Sequence, residues 1–219
     1  MLEKLPGFII MYPALILAIT AHEFAHAWAA SKLGDNTARN EGRVSFNPLH
    51  HIDLIGTVIL PLMMIFTATP FLIGWAKPVP VNPCFLKNPK KDTLWISLAG
   101  PIANLILMFI LSIIFYFIRF LPLNSNFIFV FEPLMGFISI CAYLNLILAF
   151  FNLVPIPPLD GSGVLKGLLP YRYLIKYEEI FNRYGFIILL ILLFSGALQL
   201  YLKFVIGILK YIPFIRVIL

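Results

Sequence analysis

The sequence predicts an all-α polytopic membrane protein: a bundle of about five to six membrane-embedded segments with short extended or β segments at the membrane face. Three observations predict it. Of the 219 residues, 61% are hydrophobic and only 12% charged, far outside the composition of soluble domains. Apolar runs near the length of about 20 residues needed to span a bilayer recur along the chain. The net charge of +6 comes from Lys and Arg in short loops; no clustered basic stripe suggests a nucleic-acid partner, and none is expected. Residues 1–219 form a single domain with no room for a separate soluble one. Cys84 and Cys141 are far apart, in no CxxC pattern, and are expected to be free thiols.

In chain order, a short polar start precedes a first helix over Gly7–Lys32, ended by Gly34-Asp35-Asn36. It is too long for the apolar core of a signal peptide and lacks a strongly basic lead, so it is expected to stay in the membrane. Thr37–Asp53 is polar, and the alternation in Gly42–Phe46 suggests a short strand or hairpin. His50 and His51, adjacent and next to a proline turn, are expected at the interface and not as ligands. Leu54–Ile73 is apolar but interrupted by Pro61 and by Thr67–Pro70, so it is either a second span or a re-entrant hairpin. Gly74–Pro83 is proline-rich and extended, either a rigid connector or an edge for a substrate strand. Thr93–Arg119 is a span whose Ala99–Ala103 stretch lets another helix approach closely, with Asn104 hydrogen-bonding across it. Pro122–Pro133 is a loop and Leu134–Leu153 the next span, unwound by Pro155, Pro157 and Pro158 ahead of Asp160. Tyr171–Tyr184 is an amphipathic interfacial stretch and Phe186–Gly207 a last span.

The chemistry lies in His22-Glu23-Phe24-Ala25-His26. Positions i and i+4 of a helix share a face, so two imidazoles can bind one Zn²⁺ with Glu23 beside them to act on a bound water. A solvated face is the plain alternative, but the apolar flanks leave it nowhere to sit, and ionisable groups in hydrocarbon are costly without such a role. The pair lies roughly eight residues before the helix end, about 12 Å below the surface. A catalytic zinc takes three protein ligands and leaves one position open. Asp160, a carboxylate in an apolar and helix-broken setting, is the expected third. Asn152 is a candidate donor to the scissile carbonyl or oxyanion, with capping or inter-helix bonding as the alternative.

These residues resemble the site-2 protease family of intramembrane zinc metalloproteases. The resemblance rests on His22-Glu-Phe-Ala-His26, Gly100-Pro-Ile-Ala-Asn104, Asn152-Leu-Val-Pro155 with Leu159-Asp160-Gly161, and Gly74–Pro83. It implies a minimal form without PDZ or CBS domains, holding one Zn²⁺ per chain on His22, His26 and Asp160, with Glu23 as the catalytic acid/base. Asn152 and Asn104 would serve as substrate-binding or oxyanion groups. It further implies hydrolysis within or near transmembrane segments of substrate proteins, a multi-pass location in a prokaryotic plasma membrane, and substrate held as a strand by Gly42–Asn47 or Gly74–Pro83. In the family core a single span separates the HExxH helix from the one leading to Asp-Gly, so those two run parallel. A full span over 54–73 would make them antiparallel; re-entrance keeps them parallel.

Two other classes compete. A membrane zinc-binding or transport protein would need further ionisable groups along its spans, and these are lacking away from the one cluster. A catalytically silent scaffold would have no use for Glu23.

Overall fold

The computed structural model describes residues 5–66, 74–120, 128–216 and 218. Three long helices, α1 (Leu5–Lys32), α4 (Pro89–Ile118) and α5 (Ile128–Asn152), pack pairwise into the central bundle. Each is long and apolar enough to cross a membrane. Many of their buried residues are small or polar: Ala14 and Ala18 on α1, Gly100 and Asn104 on α4, and Ala142, Asn145 and Ala149 on α5. Small residues let backbones approach closely where lipid supplies no hydrophobic drive. Large apolar side chains such as Ile106, Phe117 and Phe129 stay exposed on the outside, as a bilayer requires.

Buried hydrogen bonds fix the direction of the helices. Along α1, Ala14 meets Cys141 and Ala18 meets Asn104, which in turn meets Asn145. Further on, His22 meets Asn104 and His26 meets Ile96. Contacts therefore descend along α4 and ascend along α5, so α4 is antiparallel to α1 and α5 parallel to it.

Between α1 and α4 the chain makes one long excursion and returns. After the short α2 (Thr37–Asn40), one arm leads to a π-helical turn at Leu54–Ile59, capped by Asp53, and on to α3 (Leu60–Phe66). A second arm returns over residues 74–82. The arms face each other with Trp75 N–H donating to Gly56 O, Lys77 N–H to His51 O, and Asn82 N–H to Asp35. Gly56 is required here, since a Cβ would stand 2.5 Å from the Trp75 ring. The chain thus re-enters at the end of α1 from which it left, which resolves the choice between span and re-entrance. The expected break at Thr67–Pro70 lies outside the described residues.

Several expectations are corrected. No β-strand forms among the described residues; the proposed strand at Gly42–Phe46 is a series of bends. Its carbonyls are taken by side chains of its own segment, Gly42 O by the His50 ring and Ser45 O by the His51 ring, which leaves no ladder to build. His51 is buried, while His50 is exposed. The expected loop ending at Pro133 is shorter, because α5 begins at Ile128 and carries Pro133 in its early turns. The stretches expected as separate, 171–184 and 186–207, form one helix, α7 (Tyr171–Phe194), followed by α8 (Ala197–Leu209). The bend of 68° comes at Ser195-Gly196, where Gly196 adopts φ +79°, a conformation that favours glycine. If this bent pair is one span, the described residues include four. With the re-entrant excursion these reach the lower end of the expected number.

The remaining pieces hold the site. After α5, α6 (Asp160–Leu168) docks on α4 through Gly163 against Ser97 and Gly167 against Leu94, both too close for a side chain. Tyr177 on α7 donates its hydroxyl to Pro155 O at 3.0 Å, steadying the proline-rich approach to Asp160. At the C-terminal end, α9 (Pro213–Arg216) and Ile218 pack on Met108, Ala142 and Leu146. Cys84 is exposed and Cys141 buried, and both are free.

Candidate metal centre

His22 and His26 lie one turn apart on the buried face of α1, and the N-terminus of α6 brings Asp160 against them. His22 Nε2 is 3.0 Å from His26 Nε2, and Asp160 Oδ2 is 2.9 Å from the first and 3.2 Å from the second.

The second nitrogen of each ring settles its tautomer. His26 Nδ1 is 2.7 Å from Ile96 O, a carbonyl that can only accept, so Nδ1 carries the proton. His22 Nδ1 is 2.5 Å from Asn104 Oδ1. The Asn104 amide cannot be flipped, because its nitrogen donates to Ala18 O at 3.0 Å and to Asn145 Oδ1 at 2.7 Å. His22 therefore also donates from Nδ1. Both Nε2 atoms then present lone pairs to each other and to a carboxylate oxygen that has no hydrogen-bond donor of its own. Three converging acceptors repel one another unless a cation lies among them. Their spacing suits one: ligands about 2.0–2.1 Å from a tetrahedral zinc stand about 3.3 Å apart.

Gly100 makes this convergence possible. A Cβ there would lie 2.4 Å from His26 Nε2 and 2.7 Å from His22 Nε2, inside the ligand cluster. The small residues that admit α1 also admit its two imidazoles at Gly100. Gly161, next to Asp160, meets the Leu153 carbonyl just as closely, so the helix break folds directly over the start of α6.

Glu23 is half-buried on the adjoining face of α1, within electrostatic reach of His26 and His51. Phe24 stacks on Phe46 with ring centroids 3.9 Å apart, bringing the first arm of the excursion against this turn of α1. Asn104 is fully buried and its amide is bonded to His22, Ala18 and Asn145. Asn152 donates back to Leu148 O of its own helix at 3.0 Å, the alternative expected for it. His50 and His51 stand outside the ligand cluster. Sequence reasoning missed Asn145 and the site role of Gly100. Asn145 carried a signal, being a polar side chain in the middle of an apolar span.

The fold and the site together define a helical membrane protein with a buried cluster of two histidines and an aspartate that could hold a metal ion, and a carboxylate beside it. Comparison places it further: the sequence profile of Peptidase family M50 matches residues 10–192, and the chain belongs to this family of membrane metalloproteases. It is 39% identical over 191 residues to "Putative zinc metalloprotease YwhC" of Bacillus subtilis, covering 87% of this chain and 81% of that protein. With "Putative zinc metalloprotease Rip2" of Mycolicibacterium smegmatis it shares 30% identity over 199 residues, 88% of this chain and 69% of the relative. "Zinc metalloprotease MJ0392" of Methanocaldococcus jannaschii is 34% identical over 115 residues, covering 52% of this chain and 31% of that protein. No solved structure matches the chain at a significant level.

Proposed function

We propose that this protein is an intramembrane zinc endopeptidase that hydrolyses peptide bonds within or near transmembrane segments of other membrane proteins. The observation that carries the reading is the convergence of His22 Nε2, His26 Nε2 and Asp160 Oδ2, with Glu23 following His22 directly on the same helix. One Zn²⁺ held by these three residues would supply a Lewis acid and a water of lowered pKa.

The chain's own residues do the rest. The Glu23 carboxylate takes the proton of the attacking water and returns it to the nitrogen of the leaving amine. Asn104 and the Ile96 carbonyl keep both rings oriented and their Nδ1 atoms protonated, as the hydrogen bonds to metal-binding imidazoles generally do. The arms over 42–57 and 74–82 run beside this turn of α1, and the second is extended and proline-punctuated. A peptide bond must leave its helix before water can reach it, since a helical amide is shielded by its own hydrogen bonds. An extended arm is the natural partner for such an unwound segment. Asn152 gives one amide N–H to Leu148 O, and its amide carries a second N–H that could meet a substrate carbonyl.

The test is cleavage of a panel of single-span reporter proteins in liposomes, with the cut bond mapped by mass spectrometry before and after chelation. Cuts inside or at the edge of the spanning segment, lost with chelator and restored by Zn²⁺, are expected. Cuts confined to soluble loops, or cleavage indifferent to chelator, would overturn the reading.

A further inference from the structure

Where α1 ends and α2 begins, the surface folds into a cleft of about 320 Å³ lined by Trp28, Ser31, Lys32, Arg39 and Val44. That volume lies at the small end of the range of about 300–1,000 Å³ typical of ligand sites. Its two cations have no counter-ion. Among the described residues the ion pairs are His22 and His26 with Asp160, and Lys166 with Glu178; neither Lys32 nor Arg39 takes part in one. The carboxylate between them in sequence, Asp35, is fully buried and bonded elsewhere. Its Oδ1 accepts from the backbone and hydroxyl of Thr37, and its Oδ2 from Asn82 N–H. Glu41 is exposed and does not line the cleft.

The walls are fixed by the chain's own bonds. Ser31 Oγ donates to Asn36 Oδ1 at 2.9 Å, tying the last turn of α1 to the residue before α2. The Asp35 carboxylate holds Thr37, the first residue of α2. Arg43 N–H donates to Ala38 O at 2.9 Å, and its buried guanidinium donates to the carbonyls of His50, Lys77 and Pro78. Val44, next in the chain, is thereby held in place.

The setting selects an amphipathic anion. Lys32 is the last residue of α1, and Trp28, one turn earlier, lies about 6 Å deeper along the helix axis. Trp28 is half-exposed. A tryptophan at the end of a spanning helix, with a lysine reaching outward past it, belongs at the level of lipid headgroups. Lys32 Nζ stands 5.8 Å over the Trp28 ring, so charge and an apolar face adjoin. Further along the first arm, Phe46 and Leu49 are 67% and 72% exposed, as side chains in contact with acyl chains would be. A soluble anion needs only the cations; an anionic phospholipid also uses the apolar wall.

We propose that this cleft binds the headgroup of an anionic phospholipid. Lys32 and Arg39 meet the phosphate, Ser31 Oγ accepts from a headgroup hydroxyl, and Trp28 and Val44 pack on the glycerol and first methylenes. The lipid would bridge α1, α2 and the first arm, and the inference stands apart from the protease reading. The full chain in neutral detergent is titrated with phosphatidylglycerol, with phosphatidylcholine of the same acyl chains and with inorganic phosphate, and bound lipid is counted by native mass spectrometry. Phosphatidylglycerol should bind the more tightly of the two lipids. Lys32→Gln and Arg39→Gln should each cut its affinity about fivefold, the worth of one cation at a lipid surface, and the double variant about 25-fold. Lys32→Arg keeps the charge and should keep the affinity, and circular dichroism should show equal helicity throughout. Lys210→Gln removes a cation with a similar aromatic contact elsewhere, 5.8 Å over Tyr211, and should change nothing. Phosphatidylglycerol with brominated chains should quench tryptophan fluorescence less in Trp28→Phe than in wild type. Equal affinity of the wild type for both lipids, or equal losses in Lys210→Gln and Lys32→Gln, would overturn the inference. Displacement of the lipid by inorganic phosphate at comparable concentration would overturn it in favour of a soluble anion. Wild-type lipid affinity in the double variant, with loss of binding to an acidic single-span peptide, would overturn it in favour of a protein segment.

Discussion

Gly100→Ala is the sharpest perturbation this structure offers. In an ordinary helix interior the change is favourable by about 0.5–1 kcal/mol, because alanine has less backbone freedom to lose. Here the new Cβ would stand 2.4 Å from His26 Nε2, and 2.6 and 2.7 Å from Cε1 and Nε2 of His22. Non-bonded heavy atoms settle at about 3.5 Å, so both rings must withdraw by roughly 1 Å. Metal sites keep their ligand distances to within about 0.2 Å, so two of three ligands are lost together. Loss of a supporting hydrogen bond alone costs 10–100-fold in affinity; displacement of two ligands should cost at least about 100-fold, or about 2.7 kcal/mol. The measurement is bound zinc per chain after dialysis against a buffered zinc series, with helicity followed by circular dichroism. Gly136→Ala is the control, since nothing lies within 4 Å of a Cβ there. The expected result is retained helicity in both variants with zinc lost only at position 100. Wild-type zinc affinity in Gly100→Ala would refute the placement of the ion among these three ligands.

Other consequences follow from the same contacts. Asn104→Ala leaves the buried His22 Nδ1–H without its acceptor, and zinc affinity should fall by about 10–100-fold, measured in the same titration. Tyr177→Phe removes the hydroxyl held by Pro155 O; thermal stability should fall by about 1 kcal/mol while zinc content stays near one per chain. Asp35 supplies a pH dependence. Burial alone would raise its pKa, but the Thr37 hydroxyl and the amides of Thr37 and Asn82 outweigh burial and hold the carboxyl below its ordinary value of 3.8. Because the folded value is depressed, this stabilisation is fully present above the unfolded value and fades as pH falls through the folded one. Exchange protection at Asn82 should therefore hold above about pH 4 and decline below it, and Asp35→Asn should flatten that decline.

The candidate metal ligands were legible because their chemistry conflicts with their setting. His22, Glu23 and His26 in an apolar helix, and Asp160 after a proline break, are costly in hydrocarbon unless they act together, and the helical period alone brings the two imidazoles to one face. Re-entrance was only half legible. Pro61 and the returning prolines allowed it, but the pairing of Gly56 with Trp75 and of His51 with Lys77 is long-range and leaves no periodic trace. The false strand at Gly42–Phe46 has a similar cause. Alternation suggested a ladder, whereas the Gly42 and Ser45 carbonyls are bound by the His50 and His51 side chains. Gly100 was seen as a helix-packing glycine because small residues between spans usually serve packing; that its neighbours are also the rings of His22 and His26 emerges only in three dimensions. The continuity of α7 was hidden by a change from amphipathic to fully apolar composition, a change in surroundings that requires no break in the backbone.

The most direct test of the central claim compares wild type with Glu23→Gln on one reporter cut by the wild type, with bound zinc measured in both. Glutamine keeps the size of the side chain and cannot take a proton from water. The site described here predicts near-stoichiometric zinc in both proteins and a loss of cleavage of about 100-fold or more in the variant. Cleavage by Glu23→Gln at the wild-type rate, or a well-folded wild type that binds no zinc, would contradict it.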